Sequence, residues 1–237
     1  MRKRANYKKT QTRRTAVEVL FLALFVALIS AGAVQLWLAV FAVSVLLGLR
    51  WARLYCGWVC PINTAFRPLR WVYAKLGVRR PMPGAWLQQK WLRYVVLAAF
   101  VAAAVGQQVL GVTLPILAAV TVVAVLLTLV FDEQWWHATL CPFGTVLHHS
   151  SRAATRSMAI DADTCIGCGK CDAVCPTDAI VHRDADGSKR PTRGIAARRC
   201  LVCFRCAEVC PVNAVWYGAT GITGTSGEAT VAGEANV

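Results

Sequence analysis

Long apolar stretches alternate with short basic ones along this chain. From 16 to 49 only Glu18, Ser30, Gln35 and Ser44 interrupt the apolar residues. One straight helix of that length would run about 50 Å, well beyond the roughly 30 Å of a hydrocarbon core. The small residues and helix-weakening glycine at Ser30-Ala31-Gly32 therefore predict a turn and two short helices. The block 91–131 is also too long for one span. Gly106-Gln107-Gln108 and Gly111, with Pro115 beyond, divide it into 91–105 and about 112–131. The pattern predicts an α-helical membrane protein with four transmembrane helices arranged as two hairpins.

Charge changes that picture only by orienting it. The chain has 237 residues, 57% of them hydrophobic and 16% charged, against the quarter or so charged in ordinary soluble domains. Lys+Arg number 26 and Asp+Glu 12, a net charge of +14. So few charges with so basic a balance argue against a nucleic-acid binder and for basic loops beside a membrane. Arg2, Lys3, Arg4, Lys8, Lys9, Arg13 and Arg14 precede the first apolar run. Arg50, Arg53, Arg67, Arg70, Lys75, Arg79, Arg80, Lys90 and Arg93 fill the loop between the blocks, without one acid. The positive-inside rule then predicts a multi-pass protein of the cytoplasmic (inner) membrane, both termini cytoplasmic. A signal peptide is the competing reading of the basic start and the small residues near Ser30. The apolar run continues past that point, which disfavours it. The segment 61–77 mixes Phe66, Leu69, Trp71 and Tyr73 with Arg67, Arg70 and Lys75, a composition suited to an interfacial segment.

The strongest chemical signal begins near Asp163. Cys165, Cys168, Cys171 and Cys175-Pro176 form a C-x2-C-x2-C-x3-C-P run, and Cys200, Cys203, Cys206 and Cys210-Pro211 form another. Every cysteine of the first recurs 35 residues later in the second. Such a repeat predicts a small α+β two-cluster ferredoxin domain with pseudo-twofold symmetry. Three closely spaced thiolates wrap one cubane, and the fourth, carried off on a turn, reaches the other. The expected ligands are Cys165, Cys168, Cys171 and Cys210 for one 4Fe–4S cluster, and Cys200, Cys203, Cys206 and Cys175 for the second. Ile166, Ile180, Leu201 and Val215 are expected to shield them. Structural zinc would want four ligands in pairs, not two such runs.

A quieter repeat joins the ends of the two apolar blocks. Cys56-x3-Cys60-Pro61 corresponds to His137-x3-Cys141-Pro142, and Thr64 to Thr145. Proline suits the first turn of a helix, so each motif is expected at a helix start. Brought together, Cys56, Cys60, His137 and Cys141 would make a candidate redox or soft-metal site. Buried interfacial thiols are the plainer alternative. His148, His149 and His182 are expected at the surface, and no histidine lies in a predicted span, which excludes haem ligation within one.

The predicted organisation is a basic N-terminus (1–15), hairpin one (16–50), a basic loop (51–90) and hairpin two (91–131). A His-x3-Cys-Pro segment with linker (132–160), the ferredoxin domain (161–217) and a disordered tail (218–237) follow.

Four spans, Cys56-Gly-Trp-Val-Cys60-Pro61, the Glu133…Cys141-Pro142 segment and two ferredoxin runs resemble the NapH-type membrane ferredoxins, within the wider NosR/NapH-like polyferredoxins. The resemblance implies an electron-transfer component of a quinol dehydrogenase-type system, not a stand-alone enzyme. It implies two 4Fe–4S clusters, a quinone as redox partner, and an iron–sulfur or cytochrome subunit of a respiratory reductase beyond it. The chain departs from the family pattern at His137, where a cysteine is usual. An alternative from another class is a redox assembly factor for a copper centre, as in CcoG-type proteins with similar Cys-x3-Cys-Pro turns.

Overall fold

A computed structural model describes residues 7–111, 116–183 and 192–219. The expected tail beyond 219 and most of the loop between the ferredoxin halves lie outside those residues. Helix α1 (Tyr7–Ser30) turns at Gly32, whose φ is +68°, into α2 (Leu36–Trp51). Short α3 (Leu54–Trp58) leads into α4 (Pro61–Leu76), which ends on Gly77 in the left-handed region. Helix α5 (Leu92–Leu110) runs straight through Gly106 and stops at Gly111, φ +64°. Of the two expected breaks, only the one that needs a left-handed residue ends the helix. Helix α6 (Ile116–Val130) is followed by a single turn, α7 (Glu133–Trp135), a π-turn at 136–140, and α8 (Pro142–Ser150).

The expectation of four transmembrane helices is overturned. Among the described residues no helix is long and apolar enough to cross a membrane. The two-hairpin membrane architecture therefore falls, and with it the multi-pass placement in the cytoplasmic membrane. The physical reason lies in where the breaks fall. Helices α2 and α6 have 16 and 15 residues, about 24 and 22 Å at 1.5 Å per residue. Helix α1 has 24, but it contains Arg13, Arg14 and Glu18. Helix α5 opens with Arg93 and closes its apolar stretch with Gln107 and Gln108. Apolar composition was legible along the runs, but the turns and charges leave no described helix that is both long and apolar enough. Leu20, Leu46, Val122 and Leu126 nevertheless remain more than half exposed.

What the helices do bury is a shared core. Phe25, Trp37, Phe66, Phe143 and Leu147 pack with Tyr55, Cys56, Cys60 and Cys141. Edge-to-face rings knit it together: Phe41 meets Phe143 at 5.0 Å, and Phe100 meets Phe143 at 5.3 Å. The first turns of α4, expected at an interface, contribute buried Ile62 and Phe66 to this core.

The C-terminal part is built as two halves. Strand β1 (Arg156–Ile160) pairs antiparallel with β4 (Val215–Ala219), placing Met158 opposite Tyr217. Strand β2 (Ile180–Arg183) pairs with β3 (Thr192–Ile195). Helix α9 (Lys170–Val174) and helix α10 (Arg205–Val209) stand 35 residues apart, matching the cysteine repeat. The backbone repeats with the sequence. Gly167, Gly169 and Asp178 have positive φ, and so do their counterparts Val202, Phe204 and Asn213. For Val202, φ +53° is a strained conformation that the surrounding loop must impose.

Candidate functional site

The two cysteine runs interleave in space. One small cavity is lined by Cys165, Cys168, Cys171 and Cys210, with Ile166 and Val215 beside them. The other is lined by Cys175, Cys200, Cys203 and Cys206, with Ile180 and Leu201. Each therefore gathers three thiols of one run and the last thiol of the other. Backbone N–H groups point at the sulfurs: Ala179 donates to Cys175 Sγ at 3.2 Å, and Ala214 to Cys210 Sγ at 3.3 Å. Val202 N–H donates to Cys200 Sγ at 3.4 Å, a bond made from its left-handed conformation. Such donors stabilise thiolate charge and tune the potential of an iron–sulfur centre.

The donor set fits the group. Among the described residues no three His, Cys, Asp or Glu side chains stand close enough to hold a single metal ion. A cubane makes no such demand, because each of its irons takes its own thiolate. Burial pushes the Cys200 and Cys203 thiols up to about 12, so each keeps a proton at neutral pH unless a cation replaces it. The halves differ in cover: Cys168 is exposed, whereas Cys200, Cys203 and Cys206 are buried.

Cover over the second loop comes from helices far away in sequence. Arg14 of α1 donates from Nε to Gly57 O at 2.8 Å and from Nη1 to Cys203 O at 2.7 Å. Tyr7 Oη–H donates to Val215 O at 2.8 Å, and Trp58 Nε1–H to Val202 O at 3.0 Å. Arg53 N–H donates to Cys200 O at 3.3 Å. Gly57 has no alternative here, since a Cβ would press into the carbonyl oxygen of Leu201.

Cys60 and Cys141 occupy equivalent places, capping α4 and α8 with Pro61 and Pro142 in the first turn. Cys141 Sγ accepts from Gly144 N at 3.3 Å. Cys56, Cys60 and Cys141 share the core that also holds Cys203. His137 sits in the π-turn, its ring edge-on to Phe66 at 5.5 Å. Irregular helical turns of this type often mark functional positions. Burial pushes the Cys141 thiol up to about 12 and His137 down to about 3, so both are neutral. These four residues lie in one region but do not converge on one ion.

Two buried carboxylates tie the parts together. Glu18 pairs with Arg14 at 2.7 Å and also with Arg67. Glu133 accepts from Arg70 Nη1 at 2.8 Å and from Arg205 Nη1 at 3.0 Å, linking α4, α7 and α10. Sequence reasoning passed over this pairing, although a signal existed: between Glu18 and Asp132 the chain has no acid at all. A carboxylate at the edge of so long an acid-free, arginine-rich stretch is a natural bridging point.

On the other side of His137 lies a cavity of about 430 Å³, ringed by arginines. Burial lowers the pKa of Arg93, and the nearby charges of Arg53, Arg199 and Arg198 lower it further. His148, expected at the surface, is half-buried on this wall. Burial first, then Arg53 and Arg93, push it down to about 3. Its folded value lies below its ordinary 6.5, so it contributes stability above pH 6.5 that is lost as pH falls toward 3. The melting temperature is expected to drop between pH 6.5 and 4, and to drop less in His148→Asn. Identical slopes in thermal melts of the two proteins would exclude His148 as a cause.

Comparison with known proteins agrees with this layout. A family described as 4Fe-4S dicluster domain matches residues 164–214. One described as 4Fe-4S binding domain matches 33–91 and 113–156, which include both C/H-x3-C-P segments. The chain is similar to the methylamine utilization ferredoxin-type protein MauN of Methylorubrum extorquens, 28% identical over 145 residues, 54% of this chain and 49% of that one. It is similar to the ferredoxin-type protein NapH of Haemophilus influenzae, 27% identical over 157 residues, 58% of this chain and 52% of that one. The matches thus span about half the length of these relatives. No solved structure matches. The domain matches and both ferredoxin-type relatives make this an iron–sulfur electron-transfer protein. Together these likenesses support a NapH-like family of ferredoxin-type proteins as the one this chain resembles.

Proposed function

We propose that the chain relays electrons from a quinol to an iron–sulfur or cytochrome subunit of a respiratory reductase, using two 4Fe–4S clusters. Cys165, Cys168, Cys171 and Cys210 would hold one cluster, and Cys175, Cys200, Cys203 and Cys206 the other. The observation that carries this reading is the interleaving of the two runs into two separate four-cysteine cavities. Each bound cluster supplies a one-electron acceptor, so a pair matches the two electrons that a quinol gives up with its two protons.

The chain's own residues set the conditions. Backbone N–H groups of Ala179, Val202 and Ala214 stabilise the thiolates. Buried Leu201 and Val215 keep water from the sulfurs. A quinol ring finds apolar walls in a cavity of about 280 Å³ formed by Val17, Leu47, Leu54, Tyr55, Trp58 and Val59. Trp58 touches both that cavity and the carbonyl of Val202, between Cys200 and Cys203. The NapH-like relationship supports a quinol as the donor.

The test is iron and sulfide analysis of the anaerobically purified chain, followed by addition of a water-soluble menaquinol analogue. About eight irons per chain are expected, falling to about half in Cys200→Ser and in Cys165→Ser. Four irons in the wild-type protein would overturn the two-cluster assignment. A full complement that the quinol does not reduce would leave that assignment and remove the donor.

A further inference from the structure

The cavity beside His137 is lined largely by cations. Arg53, Lys90, Arg93, Arg152, Arg198 and Arg199 line it, and Asp178 is the only acid among its lining residues. Asp178 stands at the rim, two-thirds exposed, and engages Arg199 at 3.5 Å. Among the described residues no carboxylate pairs with Arg53, Lys90, Arg93 or Arg152. Crowding cations in this way is unfavourable unless something of opposite charge offsets it.

Two of these cations are held in place with nitrogen atoms to spare. Arg93 Nη2 donates to Ala138 O at 2.8 Å, while its Nε is buried without a partner. Arg53 is only 3% exposed, and its Nε is likewise buried and unpartnered. His137 adds a third such nitrogen, Nε2, on the same wall. Gly144 makes room for Arg53, because a Cβ there would stand 2.6 Å from Arg53 Nη2. Unsatisfied buried polar nitrogens are costly, so two guanidinium donors and an imidazole nitrogen left without partners around one cavity favour a ligand that supplies them. Polar Gln134, Thr139 and Thr177 line it as well, beside apolar Met82, Trp135 and Ala138.

The geometry points to a binding site for a multiply charged oxyanion group, the phosphate of a small molecule or of a lipid headgroup. Guanidinium forks match phosphate oxygens two at a time, which a ring of arginines offers from several sides. At about 430 Å³ the cavity exceeds a bare phosphate and suits a phosphate carrying a small organic body. The inference does not depend on the clusters or on a quinol, since it rests on residues outside the ferredoxin runs and on Arg198 and Arg199 only at the margin.

Calorimetric titration of the full iron-loaded chain with pyrophosphate tests it directly, with citrate as a carboxylate control. Submillimolar binding of pyrophosphate is expected, weakened at least tenfold in Arg93→Gln/Arg152→Gln and several-fold in Lys90→Gln, whose exposed side chain has no structural part. Arg79→Gln, exposed and not among the residues that line the cavity, is expected to bind like the wild type. Iron content reports whether each variant is folded. A second arm uses vesicles of phosphatidylglycerol against phosphatidylcholine: retention by the former alone, without pyrophosphate binding, assigns the phosphate to a lipid headgroup. No binding in either arm, binding of citrate alone, or equal weakening by Arg79→Gln overturns the proposal.

Discussion

Gly57→Ala is expected to unseat the second cysteine loop. A methyl group at this position meets the carbonyl oxygen of Leu201, with Leu201 C at 3.1 Å and Cys203 N at 3.5 Å behind it. All three are backbone atoms, so no side chain can rotate away and α3 must separate from the loop. The separation also strains the bonds that Arg14 makes to Gly57 O and Cys203 O on either side of the contact. Overpacking of this kind costs about 3 kcal/mol. The variant should show a lower denaturation midpoint and should lose iron first from the set that contains Cys200 and Cys203. Gly84→Ala is the comparison, because a Cβ there meets nothing within 4 Å. A wild-type midpoint and full iron in Gly57→Ala would show that the close approach is dispensable.

Glu133→Ala should be nearly as damaging by a different route. Glu133 is 5% exposed, and burial raises its carboxyl above the usual range while Arg70 opposes that rise. Removing it leaves Arg70 and Arg205, both less than a fifth exposed, facing each other without their shared partner. Breaking a buried pair by deleting one member costs about 3–5 kcal/mol. The lower end is expected here, because both arginines keep some access to water. Glu133→Gln retains an acceptor and should lose about half as much. Urea denaturation separates the cases: equal losses in the two variants would mean that shape, not charge, holds α4 to α10.

How much of this was legible in the sequence depends on the range of the interaction. The 35-residue repeat identified the ferredoxin halves down to the phase of α9 and α10, because cysteine spacing and turn geometry are local. Cys-Pro signalled helix starts at Pro61 and Pro142 for the same reason. Apolar runs misled because hydropathy averages over turns. The runs read as spans, yet no described helix is long and apolar enough to cross a membrane. The arginine-ringed cavity was invisible because its walls come from Arg53, Arg93, Arg152 and Arg199, which only tertiary packing unites. In the sequence Arg53 and Arg93 looked like topology markers, and Arg152 and Arg199 carried no signal. Glu18 and the Asp132-Glu133 pair could have been singled out as the acids that bound a long acid-free, arginine-rich stretch, but not their partners.

Arg14 and Cys203, joined by a 2.7 Å hydrogen bond, lie 189 residues apart along the chain, and Tyr7 reaches still farther, 208 residues on, to Val215. At ribosomal speeds of 5–20 residues per second, Arg14 emerges about 10–40 s before the cysteine it will hold. Through that interval α1 exists without the loop that it will hold. Biogenesis thus runs against the order of contact: the segment that clamps the loop is made before the loop itself. Any machinery that inserts iron and sulfide into that loop has to act before α1 and α3 finish closing over it.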